Sequence, residues 1–281
     1  MGQPPDLNRG RPSRLLGGTR LPQQRRPLGR RPGALQPVNR ATGLHRCLPP
    51  QPVWLIDLDN TLYSAHRDVF PAMDRKMTAY IMALLSLDAA AANALRQRYW
   101  VRYGTTLKGL MRHHRVDPDD FLHAVHDIPL DELTPDGRLR AVLNRLPGAR
   151  VLYTNASMGH ARRVLHRLGV TNRFTGIVSI ETLNYEPKPH RQALSQLLAG
   201  LPGGPKIMVE DSLANLKSAK QLGIKTVWVA PNRGRPILPP WVDRWIPDIY
   251  ALPRIIPGLV GPFAARAGAP PRRNGNRFPP A

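Results

Sequence analysis

At 281 residues and 42% hydrophobic content, the chain is long enough for one domain of ordinary size with an insertion or tails, and it can bury a real core. Its single cysteine, Cys47, excludes an internal disulfide, and no apolar segment approaches the ~20 residues of a membrane span. No signal-peptide core is visible, so the composition predicts a cytoplasmic protein.

The formal net charge of +22 is concentrated at the two ends of the sequence. Residues 1–50 carry +9 and residues 261–281 carry +4, and both segments are rich in Pro, Gly and Arg. Such segments bury too little apolar surface to offset the entropy of ordering, so we predict two disordered basic tails. Nine prolines among the first fifty residues also argue against the amphipathic helix of a transit peptide.

Five short apolar runs predict the buried strands of a parallel sheet, because each of them leads towards a polar turn. They are Val53–Ile56, Val151–Tyr153, Ile177–Ile180, Ile207–Val209 and Thr226–Val229. Segments with helical spacing lie between the later runs and end at Gly169 and Gly223, which indicates helical crossovers. The alternation predicts an α/β fold with a doubly wound parallel sheet, whose ligands collect at the carboxyl ends of the strands.

The first crossover is longer than the pattern requires. About ninety residues separate Asp59 from the second predicted strand, whereas a whole strand–helix–strand unit needs only ~30 residues. Residues 66–140 have helical periodicity and no strong strand. We therefore predict a helical cap at 66–140, inserted into a core domain formed by 51–65 and 141–260. A cap rooted beside the site can close over a substrate and exclude water.

Two carboxylates, Asp57 and Asp59, follow the first predicted strand. Where a strand ends and the chain curls, the first and third residues can converge on one ligand. Two carboxylates forced together either bind a cation or divide into one anion and one acid. The pattern Asp-x-Asp-Asn also begins a calcium-binding loop, but Leu62 stands where that loop requires Gly and Asp68 stands where it requires Glu.

Four motifs in chain order resemble those of the haloacid dehalogenase superfamily of phosphohydrolases. They are DLDNTLY at 57–63, YTN at 153–155, Lys188 within EPKP, and VEDSLAN at 209–215. Further stretches are similar to the pyrimidine 5'-nucleotidase branch, namely YGTTLKGL at 103–110, VHDIPLDELTPD at 125–136 and IETLNYEPKP at 180–189. The resemblance covers roughly 53–259. It implies hydrolysis of a small phosphomonoester with Mg²⁺ as cofactor, and a cap placed as above.

The catalytic prediction assigns one role to each of the first two carboxylates. Asp57 is the nucleophile, which attacks phosphorus and gives an aspartyl-phosphate, so that one hard displacement becomes two easier ones. Asp59 protonates the leaving alkoxide and then serves as the base for the attacking water. Within the superfamily an acid at this position separates phosphotransfer from dehalogenation, because a halide leaves without protonation. A dehalogenase is therefore disfavoured.

The resemblance also implies a metal site. Asp211 would bind Mg²⁺ together with the Asp57 carboxylate and the backbone carbonyl of Asp59, because the family's strand order places the first strand beside the fourth. Magnesium prefers oxygen ligands and keeps several waters, so a few carboxylates suffice. Glu210 is either a ligand, a group behind the ligands, or a carboxylate that the helix dipole favours. Asn215 would orient a metal-bound water.

Phosphate contacts are predicted after the second strand and in a proline-flanked loop. Thr154 and Asn155 follow the second strand, where a hydroxyl and a backbone amide could hold phosphoryl oxygens, although Thr154 could equally be a helix N-cap. Lys188, set between two prolines, would neutralise the phosphoryl group and the aspartyl anion.

His113 and His114 are interpreted as surface residues of the cap. Four residues could help to recognise a base or a sugar: Tyr63, Tyr103, Thr105 and Thr106. Aromatic residues at such spacing are more typical of the core of the cap.

The sequence therefore predicts a Mg²⁺-dependent phosphatase of the 5'-nucleotidase type, with nucleoside monophosphates or a similar small phosphomonoester as substrate and no membrane partner. A phosphomutase or a sugar-phosphate phosphatase of the same superfamily remains an alternative. The alternative from a different class is a protein that binds nucleic acid through its basic tails, by phosphate contacts that are not sequence-specific. These tails lack interleaved aromatic residues for stacking on bases.

Overall fold

The computed structural model describes residues 50–231 and 236–260. Apart from Pro50, the two predicted basic tails lie outside the described residues, and so does Cys47.

A sheet of six parallel strands forms the centre of the described chain, in the order β3-β2-β1-β4-β5-β6. The strands are β1 (Val53–Ile56), β2 (Ala149–Tyr153), β3 (Gly176–Val178), β4 (Lys206–Glu210), β5 (Lys225–Val229) and β6 (Arg244–Ile246). All four residues of β1 are buried, as expected for a central strand covered on both faces. The predicted doubly wound α/β fold is confirmed.

Two details of the sheet differ from the prediction of five strands. The sixth strand, β6, is a three-residue edge strand that begins with the exposed Arg244, so it has no apolar run to reveal it. The third predicted strand ends at Val178 rather than at Ile180. Ile180 leaves the sheet and packs in a hydrophobic cluster with helices of the first crossover.

Helices cover the sheet and fill the first crossover. They are α1 (Val69–Leu85), α2 (Ala89–Tyr103), α3 (Thr106–His114), α4 (Pro118–His126), α5 (Gly137–Arg145), α6 (Met158–Arg167), α7 (Arg191–Ala199), α8 (Leu213–Gln221) and α9 (Ile256–Val260). Short 3-10 helices occupy 171–173, 181–183 and 249–254.

Five helices, α1–α5, lie between β1 and β2, and we call the first four, α1–α4, the four-helix insertion. The insertion has its own hydrophobic cluster, which includes Ile81, Leu110 and Phe121. Helices α2 and α3 approach closely at Gly109, where an added Cβ would lie 2.3 Å from Cγ of Tyr99. The predicted boundary at residue 140 falls inside α5, whose buried side chains pack in the main core.

Helices α6 and α8 begin at the carboxyl ends of β2 and β4, and serine side chains cap both of them. Ser157 Oγ accepts from the backbone N–H of His160 at 3.2 Å, and Ser212 Oγ accepts from that of Asn215 at 3.5 Å. Each cap satisfies one of the free N–H groups of a first helical turn. Two helix N-termini therefore start beside the strand ends that carry the predicted site residues.

Among the described residues, no single helix combines the length and the apolar composition that a membrane crossing would need. Helices α1 and α2 have the required length and apolar composition only when they are taken together, and the chain bends by 109° at the break between them.

Candidate active site

The site lies where β1 and β4 end side by side. Ile56 pairs with Val209 across these two parallel strands, and the backbone N–H of Asp57 donates to the carbonyl of Val209 at 3.0 Å. The next residues along the two chains, Asp57 on one and Glu210 and Asp211 on the other, therefore come together. Strand adjacency, and not closeness in sequence, places these acids in one site.

Lys188 is the positive centre of this group. Its side chain is 3% exposed, and its ammonium lies 2.5 Å from Oδ1 of Asp57 and 2.7 Å from Oε2 of Glu210. It also donates to the carbonyl of Tyr153 at 2.9 Å. Burial by itself lowers the pKa of the lysine, but the two adjacent carboxylates raise it well above its usual range. The lysine is therefore charged and neutralises the predicted nucleophile directly.

Burial has the opposite effect on the carboxylates. Desolvation is the largest cause that raises the pKa of Asp57, and the charge of Glu210 is the next. Together they outweigh Lys188, which lowers it. Desolvation likewise raises the pKa values of Glu210 and Asp211. Three carboxylates surround a single ammonium, so their negative charge is only partly compensated by the protein.

That uncompensated charge and the donor set fit a hard divalent cation. Asp57, Glu210 and Asp211 each offer one carboxylate oxygen, and these atoms lie within 4.8 Å of one another. Oxygen ligands are those that Mg²⁺ requires. Both oxygens of Glu210 are already engaged, because Oε2 contacts Lys188 and Oε1 accepts from the backbone N–H of Ser212 at 3.1 Å. Asp57 and Asp211 are therefore the better ligands, and Glu210 is better suited to hold Lys188.

Asn215 lies in the first turn of α8 and is half-buried. In the described part of the chain, its side chain makes no hydrogen bond to the three carboxylates. Its predicted role in orienting a metal-bound water, like the metal contact predicted for the carbonyl of Asp59, stays a prediction.

The residues after β2 are those for which phosphate contacts are predicted. Thr154 is buried, and its Oγ1 accepts from the backbone N–H of Ala156 at 3.0 Å. The N-cap of α6 is Ser157, so Thr154 is not the helix cap, and its hydroxyl can still donate its own hydrogen to a phosphoryl oxygen. Asn155 clamps the backbone of Lys188, since its Oδ1 accepts from Lys188 N at 2.7 Å and its Nδ2 donates to Lys188 O at 3.3 Å.

Asp59 has partners that sequence reasoning did not assign. The hydroxyl of Tyr63 donates to Oδ1 of Asp59, and Nε2 of His160 lies 3.7 Å from the same oxygen. Burial acts to raise the pKa of Asp59, but His160 and Tyr63 outweigh it, and the pKa lies below its ordinary value. Tyr63 lies within the DLDNTLY motif, four residues after Asp59, so the sequence offered a signal for this contact. His160 follows β2, and no sequence signal connects it to Asp59.

The polar residues predicted at the insertion have structural partners there. Thr105 caps α3, where its side chain accepts from Lys108 N at 3.2 Å, and the hydroxyl of Thr106 donates to a carbonyl of α2 at 3.2 Å. Nε2 of His113 lies 2.6 Å from the hydroxyl of Tyr103, and Nε2 of His114 lies 2.8 Å from the hydroxyl of Tyr99. The contacts of Thr106, His113 and His114 join α3 to α2.

Comparison with known proteins gives a consistent family. A model of the haloacid dehalogenase-like hydrolases matches residues 53–223, which is more than half of the chain. "Phosphate metabolism protein 8" of Saccharomyces cerevisiae is 28% identical over 194 residues, which cover 63% of this chain and 60% of that protein. The chain thus spans less than two thirds of that relative. "Phosphoglycolate phosphatase" of Pseudomonas fluorescens is 26% identical over 225 residues, or 73% of this chain and 79% of that one.

Solved structures agree at the level of the fold. The structure of a HAD phosphatase from Thermococcus onnurineus is similar with a TM-score of 0.52 and 19% identity, over 74% of this chain and 99% of that chain. The family model spans most of the described core, three of the four motifs follow the adjacent strands β1, β2 and β4, and Lys188 of the remaining motif contacts Asp57. The chain belongs to the family of haloacid dehalogenase-like hydrolases.

Proposed function

We propose that this hydrolase is a Mg²⁺-dependent phosphomonoesterase that acts through an aspartyl-phosphate and cleaves pyrimidine nucleoside 5'-monophosphates. One observation carries the proposal: Lys188 lies 2.5 Å from Asp57 while Glu210 and Asp211 lie beside the same carboxylate. A buried carboxylate that is paired with a lysine and surrounded by further acids is suited to attack a dianionic phosphate, provided that a divalent cation joins the site.

In the first step, an oxygen of Asp57 forms a bond to phosphorus while the bond from phosphorus to the ester oxygen breaks. Because its pKa lies below the ordinary value, Asp59 is ionised before substrate binds; it takes the proton of the substrate's phosphate monoanion and passes it to that oxygen, which leaves as an alcohol. Lys188 balances the charge of the transferring phosphoryl group and of the attacking carboxylate. Because Asn155 holds Lys188 by its backbone, the ammonium stays in place through the displacement.

In the second step, water attacks the phosphorus of the aspartyl-phosphate. Asp59, now ionised, takes a proton from this water while the bond between phosphorus and Asp57 breaks. The products are inorganic phosphate, the free Asp57 carboxylate and a protonated Asp59; the departing phosphate takes that proton, and the site returns to its starting state. When bound, Mg²⁺ would supply charge that offsets repulsion between carboxylate and phosphate, with Asp57 and Asp211 as its protein ligands.

The proposed substrate class rests on where three stretches of the sequence meet. An added Cβ at Gly104 would lie 3.3 Å from the carbonyl of Lys188, and Lys108 forms an ion pair with Glu186. Tyr185 donates to Asp119 of α4 at 2.6 Å. The four-helix insertion thus contacts the loop that carries Lys188, so residues that select a substrate have a short path to the phosphate site. Two of these stretches, 103–110 and 180–189, are among those that resemble pyrimidine 5'-nucleotidases.

A sugar-phosphate phosphatase and a phosphomutase use the same chemistry, and the similarity to a protein named phosphoglycolate phosphatase supports a small phosphomonoester more generally. A panel of CMP, UMP, AMP, phosphoglycolate, sugar phosphates and p-nitrophenyl phosphate separates these candidates. Release of inorganic phosphate from CMP and UMP above the other esters supports the proposed substrate. Isomerised sugar phosphate without phosphate release points to the mutase.

Removing the divalent cation is expected to silence the enzyme reversibly. The three carboxylates at the site exceed the single ammonium, so a phosphate dianion cannot approach without added positive charge. Phosphate release should fall below about 1% with excess EDTA and return with excess Mg²⁺. Mg²⁺ should also raise the melting temperature of the EDTA-treated protein, because ligands that bind only the folded state stabilise it.

The matched control is Asp211→Asn, in which Mg²⁺ should have a smaller effect on the melting temperature than in the wild-type protein. Undiminished phosphate release in EDTA contradicts the proposed cofactor. An equal shift in the variant contradicts the assignment of Asp211 as a ligand.

A further inference from the structure

Two buried histidines adjoin the acid Asp59 and have no role in the mechanism described above. His160 is 1% exposed and His126 is 6% exposed, and their ring centroids lie 4.7 Å apart. Within the described residues, both ring nitrogens of His160 and Nε2 of His126 have no hydrogen-bond partner. Buried polar atoms without partners are uncommon in folded proteins, and they call for a specific explanation.

The contact of His126 determines which of its nitrogens carries the proton. Its Nδ1 lies 3.0 Å from the carbonyl of Leu122, and a carbonyl only accepts, so Nδ1 is the donor. Burial lowers the pKa of His126 to about 3, and the ring is therefore neutral. Its Nε2 is then an acceptor without a partner among the described residues, and the ring as a whole packs against that of His160.

The contacts to Asp59 are one-sided. The Tyr63 hydroxyl and Nε2 of His160 both approach Oδ1, whereas no residue in the described ranges 50–231 and 236–260 bonds Oδ2. Donors at Oδ1 oppose a proton on that oxygen, so the proton that reaches the leaving group belongs on Oδ2. At 3.7 Å the contact with His160 is longer than a hydrogen bond. Catalytic hydrogen bonds are often long in a free enzyme and shorten in its substrate complex.

We propose that His160 is a positioning residue for Asp59: with Tyr63 it holds Oδ1, so that Oδ2 delivers the proton to the leaving oxygen, and His126 holds the ring of His160. This inference rests on the proposed function. The position of His126 at the end of α4, the last helix of the four-helix insertion, also connects the acid to the insertion. Arg163, one turn after His160, donates to the carbonyl of His126 at 2.9 Å and secures the same junction.

Substitution of His160 by two amides of different length tests the inference. In His160→Gln the amide nitrogen can reach the position of Nε2, whereas in His160→Asn it ends near the position of Nδ1. We measure kcat/KM, because it reports the steps up to departure of the leaving group and is independent of the later hydrolysis of the aspartyl-phosphate. Two substrates are compared: the alkyl monophosphate that the panel shows to be cleaved fastest, and p-nitrophenyl phosphate, whose leaving group departs without an acid.

His160→Asn should lower kcat/KM for the alkyl ester roughly 10- to 100-fold and that for the aryl ester less than about threefold, since misplacement of an acid affects only the leaving group that needs it. His160→Gln should recover most of the loss. His166→Gln, on the exposed face of the same helix, is the control and should leave both values unchanged.

Equal losses for both esters in His160→Asn, or no loss for either, would overturn the inference. If that variant does not fold, His126→Asn takes its place, because it keeps a donor for the carbonyl of Leu122 and removes Nε2. It should lower kcat/KM for the alkyl ester a few fold and leave that for the aryl ester nearly unchanged. Equal effects there would overturn the inference as well. A wild-type protein that cleaves neither ester refutes the proposed function, and the inference with it, whereas an active enzyme without selectivity refutes only the inference.

Discussion

Asp57→Asn is expected to abolish turnover and to leave the fold intact. An amide is a poor nucleophile and cannot form the aspartyl-phosphate, so phosphate release should fall at least roughly 10⁴-fold. The stability should not fall with it, because burial and the charge of Glu210 already raise the pKa of this carboxyl. Lys188 also keeps its second partner, Glu210, in the variant.

Phosphate release from the best substrate, together with thermal unfolding in the presence and absence of Mg²⁺, measures both expectations. Asp131→Asn is the matched control, because Asp131 is an aspartate on the surface with its side chain 81% exposed. Turnover in Asp57→Asn close to that of the control would refute the nucleophile. Loss of activity together with a large fall in melting temperature would indicate that the carboxylate holds the fold.

Lys188→Met is expected to reduce both stability and activity. The substitution keeps an unbranched apolar stem but removes the ammonium from between two buried carboxylates, Asp57 and Glu210. Breaking a buried ion pair by removing one partner destabilises by about 3–5 kcal/mol, because a charge is left buried without compensation. Activity should fall roughly 10²- to 10³-fold, since one charge that stabilises the transition state is lost.

Denaturant unfolding of the single variant and of the double variant Lys188→Met/Glu210→Gln separates the two effects. The second substitution removes one of the stranded charges, so the double variant should regain part of the free energy of unfolding and none of the activity. If Lys188→Met is as stable as the wild-type protein, the ammonium does not compensate these carboxylates. If the double variant regains activity, the lysine is not part of the phosphate site.

The linear order of residues determined most of the sheet and the identity of the chemical groups. β1 occurs at the predicted Val53–Ile56, because a continuous apolar run that leads into polar residues is typical of a central parallel strand. The four motifs are local, so their resemblance to a known family needed no contacts across the fold. By contrast, β6 was not predicted, since a three-residue edge strand is held by its pairing with β5 and has no periodic signal of its own.

Tertiary structure alone decided how the groups act on one another. Asp57 and Lys188 are 131 positions apart, and their contact depends on the adjacency of the strands and on the clamp from Asn155. The same holds for His160 and Asp59, which meet because the N-terminus of α6 starts beside β1. A sequence specifies which side chains can donate, accept or carry charge. Which of them share a buried volume, and hence which pKa values shift and which atoms remain free to react, depends on packing between distant segments.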